Sequence, residues 1–203
     1  MNDKRVEIIR LVQILAKERG IDVITIQDIC IEAKITKEEF YTIFKDDDDL
    51  VETILLFARE KFLSVIDKDY SSYNAVEILL VVSKKINTLY NEVNPFMTVH
   101  LKKNFQHTYQ KHFDIIIDYI YEKISINLSK GIEENLYRKD LSVELVARLY
   151  ISRLIDIHNP DLFPPSKVSF KQLFEVMFEN FVRGIATTEG LVLFEKNRPQ
   201  NIK

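Results

Sequence analysis

An all-α fold follows from the spacing of residues in this chain. Only four glycines and five prolines interrupt 203 residues, so long segments run without a helix breaker. Within those segments apolar residues return every three or four positions, the period of a helix with one buried face. Thr25 and Ser142 stand at the heads of two such segments, as N-caps do, and Thr25 has Asp28 as an acidic partner three residues on. Hydrophobic residues make up 46 % of the chain, which suits a packed core rather than a disordered polymer.

The first helix is predicted from residue 4 to about 19, with Ile8, Ile9, Val12, Leu15 and Ala16 on one face and Gly20 as its stop. A short second helix runs from the Thr25 cap to about Ala33 and buries Ile26, Ile29 and Cys30. Lys34 and Ile35 form a tight turn. Thr36 caps a short third helix that turns Phe40, Ile43 and Phe44 inward. A longer fourth helix begins in Asp46–Asp49 and reaches about Asp67, with Leu50, Ile54, Phe57, Ala58 and Phe62 as its inner stripe. "DKDYSSYN" breaks the pattern. The next helix spans about Ala75 to Val93 and stops before Asn94-Pro95, because the residue ahead of a proline resists helical geometry. A short helix after Pro95 and a long one marked by Phe113, Ile116, Ile117, Ile120, Ile124 and Leu128 follow. Ser142 opens a helix over roughly 142–157. "NPDLFPPSK" is a loop. The last long helix carries Phe170, Leu173, Phe174, Met177, Phe178, Phe181, Val182 and Ile185.

Two short helices joined by a tight turn and backed by a first helix make a helix-turn-helix, whose second short helix enters the major groove of DNA. From the first helix through "TIQDICIEAKITKEEFYTIFKDDDDL", the residues resemble the TetR family of transcriptional regulators. Thr25, Ile35, Thr36, Tyr41, Phe44 and Leu50 fit the order of the family pattern. "GIEENLYRKDLSVELVARLYISRL", "NPDLFPP" and "FENFVRGIATTEG" are similar to the C-terminal halves of Bacteroidetes-type members. The resemblance implies a helix-turn-helix DNA-binding domain over 1–46 and a larger helical ligand-binding and dimerisation domain over 47–203. It implies a homodimer whose last two long helices pair across the twofold axis. The partners are then a palindromic double-stranded DNA operator and a small-molecule effector, and the usual role is repression. The wide apolar stripe of the last long helix also suits a partner surface, although a buried core helix reads the same way.

Position in the motif places Lys37, Glu38, Glu39 and Thr42 at base edges, where lysine donates to guanine and a carboxylate accepts from cytosine. Thr25, Thr36, Tyr41 and Lys45 are placed at phosphates, which set register. A solvated first helical turn, which favours acids, explains Lys37, Glu38 and Glu39 equally well. Three positions depart from the family pattern. Lys34 stands where the turn often has Gly. Cys30 is the small residue of the second helix, and a buried thiol accounts for it. Asp47 stands where the family often has a phosphate-binding Lys. Asp46 suits an N-cap with Asp49 at the third helical position, and acids there complement the helix dipole. The same carboxylates compete with phosphate for the helix N-terminus. Through Asp49 the chain holds eight basic and twelve acidic side chains, a formal charge of −4.

Other chemistry finds little support. The whole chain has a formal charge of −3, so any DNA contact must come from local arrangement. One cysteine allows no disulfide within the chain, no run reaches a membrane span, and the charged N-terminal residues lack a signal-peptide core; cytoplasmic residence is the expectation. Among His100, His107, His112 and His158, no spacing suits zinc, and no nucleophile elbow surrounds any Ser, so neither a metal, a cofactor nor catalysis is expected. His100 or His107 could line a pocket. Phe57, Phe62, Tyr90, Phe96, Phe105, Tyr109, Phe113, Tyr119, Tyr121 and Tyr150 are core or cavity residues. Lys102, Lys103 and Lys111 suit a solvated face. The rival reading is a homodimeric helical module that binds a small molecule or protein and has lost DNA binding.

Overall fold

The computed structural model describes the backbone of residues 3–20, 23–92, 95–164 and 166–198, and their side chains except 89–92 and 95–98. The described residues form α1 (Asp3–Arg19), α2 (Ile26–Ala33), α3 (Lys37–Ile43), α4 (Asp47–Ile66), α5 (Ala75–Glu92), α6 (Pro95–Asn104), α7 (Gln106–Glu133), α8 (Val143–Asp156), α9 (Phe170–Ile185) and α10 (Thr188–Asn197). The fold is all-α, as the periodicity predicts. The chain divides into two compact units, one of residues 1–62 with 91–116 and one of residues 63–90 with 117–203. The predicted core residues Tyr90 and Phe96 lie outside the described side chains.

In the first unit the core is built from one face of each helix. Ile8, Ile9, Val12, Leu15 and Ala16 of α1 meet Ile29 and Cys30 of α2, Phe40 of α3, Phe44, and Leu50, Val51 and Ile54 of α4. Leu101 joins the same cluster, and Phe105 and Tyr109 pack against it. Ile26 and Ile43 are half-buried at its edge. Phe40 and Phe44 are both fully buried, with ring centroids 5.1 Å apart. Burying such rings contributes on the order of 2 kcal/mol each.

The second unit is organised by a buried polar chain. Tyr137, fully buried, donates from its hydroxyl to Asn127 Oδ1 at 3.1 Å. Asn127 Nδ2 donates in turn to the Ala75 carbonyl at 3.0 Å. A segment of α7, the start of α5 and the turn after α7 are therefore joined by groups with no access to water. Burial pushes the Tyr137 phenol far above its ordinary pKa, so it remains a donor throughout the stable range. Its ring lies on Gly131; a Cβ there would overlap Cδ2 and Cε2. Leu136 and Arg138 then bond to Thr187 and Ile185, each at 2.9 Å, tying the turn after α7 to the end of α9.

One helix start and one further helix go beyond the sequence expectation. The long helix α7 begins at Gln106, well before Phe113. Its first turns bury Tyr109 partly and His112 fully, so an aromatic and an imidazole replace the aliphatic residues that mark a buried face. A further helix, α10, follows the last long one. Thr187 caps it by accepting from Gly190 N at 3.2 Å. Phe194 packs against Phe178 with ring centroids 6.3 Å apart. The broad stripe of α9 thus has neighbours within its own subunit: the Tyr150 ring of α8 packs against Phe181 at a tilt, centroids 4.5 Å apart, and Phe194 of α10 packs on Phe178.

Tyr137→Phe leaves the buried Asn127 oxygen without its donor and lowers stability by about 1–3 kcal/mol. Gly131→Ala overpacks the same site by a similar amount, about 1–3 kcal/mol. Urea denaturation of the two variants checks both; an unchanged midpoint for Tyr137→Phe would show that the polar chain is not holding the unit.

Candidate nucleic-acid interface

The motif α2–turn–α3 is shaped by three caps. Thr25 Oγ1 accepts from Asp28 N at 3.2 Å, and Asp28 Oδ2 accepts from Thr25 N at 2.8 Å. Thr36 and Glu39 repeat the box: Thr36 Oγ1 accepts from Glu39 N at 3.1 Å and Glu39 Oε2 accepts from Thr36 N at 2.7 Å. Each box satisfies two N–H groups that a helix start leaves free. Between them Lys34 takes φ 55°, in the left-handed region that favours glycine, and its N–H reaches the Cys30 and Ile31 carbonyls. A lysine therefore adopts the turn that the family usually gives to Gly. Holding a side chain there costs on the order of 1 kcal/mol. Cys30 is buried, which pushes its thiol pKa up and keeps it protonated and unreactive.

Burying Phe40 and Phe44 turns the other side of α3 outward. Lys37, Glu38, Tyr41, Thr42 and Lys45 are all exposed, as are Thr25, Thr36 and Glu39. The eight candidate residues thus lie on the exposed surface of one motif. Their side chains are not equally free. Glu39 closes the second capping box, and Thr42 Oγ1 donates to the Glu39 carbonyl at 2.7 Å. The Tyr41 ring meets Phe40 edge-on at 5.3 Å, and its hydroxyl donates to Asp47 Oδ1 at 3.4 Å, a long contact. The Asp47 charge is the main reason the Tyr41 pKa lies above its ordinary value. Lys37 makes no ion pair among the described residues, and Lys45 stands 3.9 Å from Asp46.

The aspartate block is largely engaged inside the unit. Asp46 Oδ1 caps α4 by accepting from Asp49 N at 2.9 Å. Asp48 Oδ1 accepts from Thr108 of α7 at 3.1 Å. Asp49 accepts from Lys45 N at 2.9 Å and forms an ion pair with Arg5 of α1. The Arg5 guanidinium also lies 4.8 Å from the centre of the Phe44 ring. The Lys45 N–H holds the Asp49 carboxyl below the usual carboxylate range; burial opposes it, and Arg5 adds to the lowering. Arg5 was missed in the sequence because it contacts Asp49 across 44 residues; no local pattern pairs them. Elsewhere in the motif Glu32 pairs with Arg19 at 3.2 Å. Most acids of this unit thus have structural partners, while Lys34 and Lys37 remain unpaired on the surface among the described residues.

Two further features belong to the second unit. Leu145 and Leu149 of α8 and Val176 of α9 are 61 %, 61 % and 62 % exposed, apolar side chains left outside the packing of these two helices. A cleft of about 420 Å³ is walled by Ile157, Phe163, Val168, Leu173, Val176 and Met177 and edged by Arg153. No group of His, Cys, Asp and Glu among the described residues is placed to hold a metal ion. No helix among them is long and apolar enough to cross a membrane.

Comparison with protein-family models and with curated proteins finds no match. Solved structures do match. A transcriptional regulator from Cytophaga hutchinsonii superposes with a TM-score of 0.69 at 18 % identity, covering 89 % of this chain and 97 % of that one. A TetR-family regulator from Streptomyces coelicolor gives 0.68 at 18 %, covering 90 % and 80 %. A gamma-butyrolactone receptor gives 0.67 at 16 %, covering 96 % and 94 %. The chain therefore has the fold of TetR-family transcriptional regulators, a helix-turn-helix followed by a larger helical body.

Asp49→Ala removes the acceptor of Lys45 N–H and the partner of Arg5 together, and lowers stability at neutral pH by about 1–2 kcal/mol. The native carboxyl has a depressed pKa, so its contribution is complete above the unfolded value near 4 and is lost as pH falls through the folded one. Thermal melts of wild type and variant differ at neutral pH and converge as acid protonates the folded carboxyl, if the carboxylate acts this way.

Proposed function

We propose that this chain is a TetR-family transcriptional regulator that reads a palindromic DNA operator as a homodimer and answers to a small-molecule effector. The observation that carries the reading is the exposed face of α3, held by two capping boxes on a buried Phe40–Phe44 floor, within a fold whose solved examples are regulators. Lys37, Glu38 and Thr42 are the candidates for base edges, with Glu39 more occupied by its cap. Thr25, Thr36, Tyr41 and Lys45 are the candidates for phosphates. Residues 1–46 are the DNA-binding domain and 47–203 the effector-binding and dimerisation domain. The regulator acts in the cytoplasm, as a repressor, without catalysis, and its C-terminal stretches resemble those of Bacteroidetes-type members.

The exposed Leu145, Leu149 and Val176 support dimerisation. They do so better than the wide stripe of α9, where Phe174, Met177, Phe178, Val182 and Ile185 are already buried within the subunit. A twofold pair also supplies the second recognition helix that one motif lacks. Effector identity is left open by the neighbours; the gamma-butyrolactone receptor takes its name from one class of ligand.

A second reading, a dimeric module without DNA binding, draws on the head's formal charge of −4 and on the Tyr41–Asp47 contact. A phosphate approaching Tyr41 must displace a carboxylate. Under the DNA reading this makes non-specific affinity low and its salt dependence shallow.

Titration against a labelled duplex from the gene's upstream region, with a scrambled duplex as control, separates the two. The regulator reading expects a preference for the upstream duplex that survives moderate salt. Lys37→Ala then costs about 1–3 kcal/mol of specific binding. Asp47→Lys steepens the slope of log K against log salt by about one. Loss of preference at every salt concentration, unrescued by Asp47→Lys, favours the second reading.

A further inference from the structure

His112 on α7 is only 2 % exposed, and α4 supplies its partners. Arg59 Nη1 lies 3.1 Å from Nδ1 of the ring. A guanidinium has donors only and stays protonated in proteins, so Nδ1 must be the acceptor. The single proton of the neutral ring therefore sits on Nε2. Nε2 faces Glu52 Oε2 at 3.1 Å, off the line of a good hydrogen bond. Glu52 is also held by Lys111, whose Nζ donates to Oε1 at 2.8 Å. The charged groups acting on the ring are thus Glu52 and Arg59 from α4 and Lys111 from α7. All four residues belong to the first unit.

A second proton on this ring has one place to go. Nδ1 would become a donor pointing at an Arg59 N–H, and a cation would face a cation. Glu52 favours the charged ring, but it already answers Lys111. Burial dominates and lowers the imidazole pKa, with Arg59 and Lys111 adding to it and Glu52 opposing.

We infer that the Arg59–His112 contact is an acid-sensitive latch between α4 and α7, opened when a proton from solvent lands on Nδ1. The latch is closed at pH values above the ordinary histidine range. It weakens as pH falls below about 6.5, because the unfolded or opened ring then takes up a proton that the closed ring resists. Opening releases the stretch of α4 that follows the aspartate block. The inference stands whether or not the head reads DNA.

Hydrogen exchange at pH 7.5 and pH 5.0, corrected for intrinsic rates, tests it on the full chain. The variant His112→Gln keeps an acceptor for Arg59 and cannot titrate. In the wild type, peptides from 47–62 and 106–116 should exchange faster at acid pH, by up to about tenfold per pH unit. Peptides from 143–156 and 170–185 should change less. The other shielded imidazole, His158, stacks on Phe170 in the second unit with its pKa pushed down by burial to about 4, so its response falls in those latter peptides. His112→Gln should abolish the acid response of the first set. The proposal is overturned by a wild type with no such response, by a response equal in both sets, or by one that persists in His112→Gln. Should the variant not fold, an NMR titration of wild-type His112 decides: amides of α4 that follow the ring support the latch, and amides that ignore it refute it.

Discussion

The first unit depends on what Arg5 touches. One guanidinium lies over the ring of Phe44 and pairs with Asp49, whose carboxylate also receives the Lys45 N–H. The first helix, the residues just after α3 and the start of α4 therefore meet at one charge. The surrounding apolar contacts would tolerate small slips. A directional, half-buried ion pair does not, because moving either partner leaves a charge poorly solvated. The direction in which α3 presents Lys37, Glu38 and Tyr41 follows from that junction and from the two capping boxes.

The same junction accounts for the run of four aspartates. A helix start wants acceptors and negative charge, and here Asp46 caps, Asp49 pairs with Arg5, and Asp48 meets Thr108. Asp47 differs. It accepts from the Tyr41 hydroxyl at 3.4 Å, on the exposed side of the α2–turn–α3 motif. Three of the four carboxylates thus have a structural use within the unit, and the fourth meets only a weak, long contact. A negative head can still bind DNA if its few free cations meet phosphates, since screening shortens the reach of the remaining charge to about 8 Å at physiological salt.

The second unit uses a neutral counterpart. Tyr137, Asn127 and the Ala75 carbonyl form a dry hydrogen-bonded chain, and Gly131 makes room for the tyrosine ring. Buried polar groups of this kind stabilise only one arrangement, since any shift leaves a donor or acceptor unmatched. Apolar packing gives each unit its stability, and a small number of buried polar contacts fix its geometry.

Much of this was legible in residue order. Helices appear wherever apolar residues recur at three and four positions, and Thr25, Thr36, Asp46 and Ser142 cap where their types predict, because helix formation and capping are local. The motif α2–turn–α3 was visible for the same reason, down to Lys34 in the turn. The early start of α7 was hidden, because Tyr109 and His112 do not read as a buried face until α4 lies against them. The helix α10 gave no long stripe and is held by Phe178 and Leu136 from distant segments. Which aspartate supports the fold and which one meets Tyr41 could not be read from four identical letters. Local sequence determined the helices and their caps; only the tertiary structure assigned each charge a partner, because ion pairs such as Arg5–Asp49 and contacts such as Arg59–His112 join residues that nothing in the intervening chain connects.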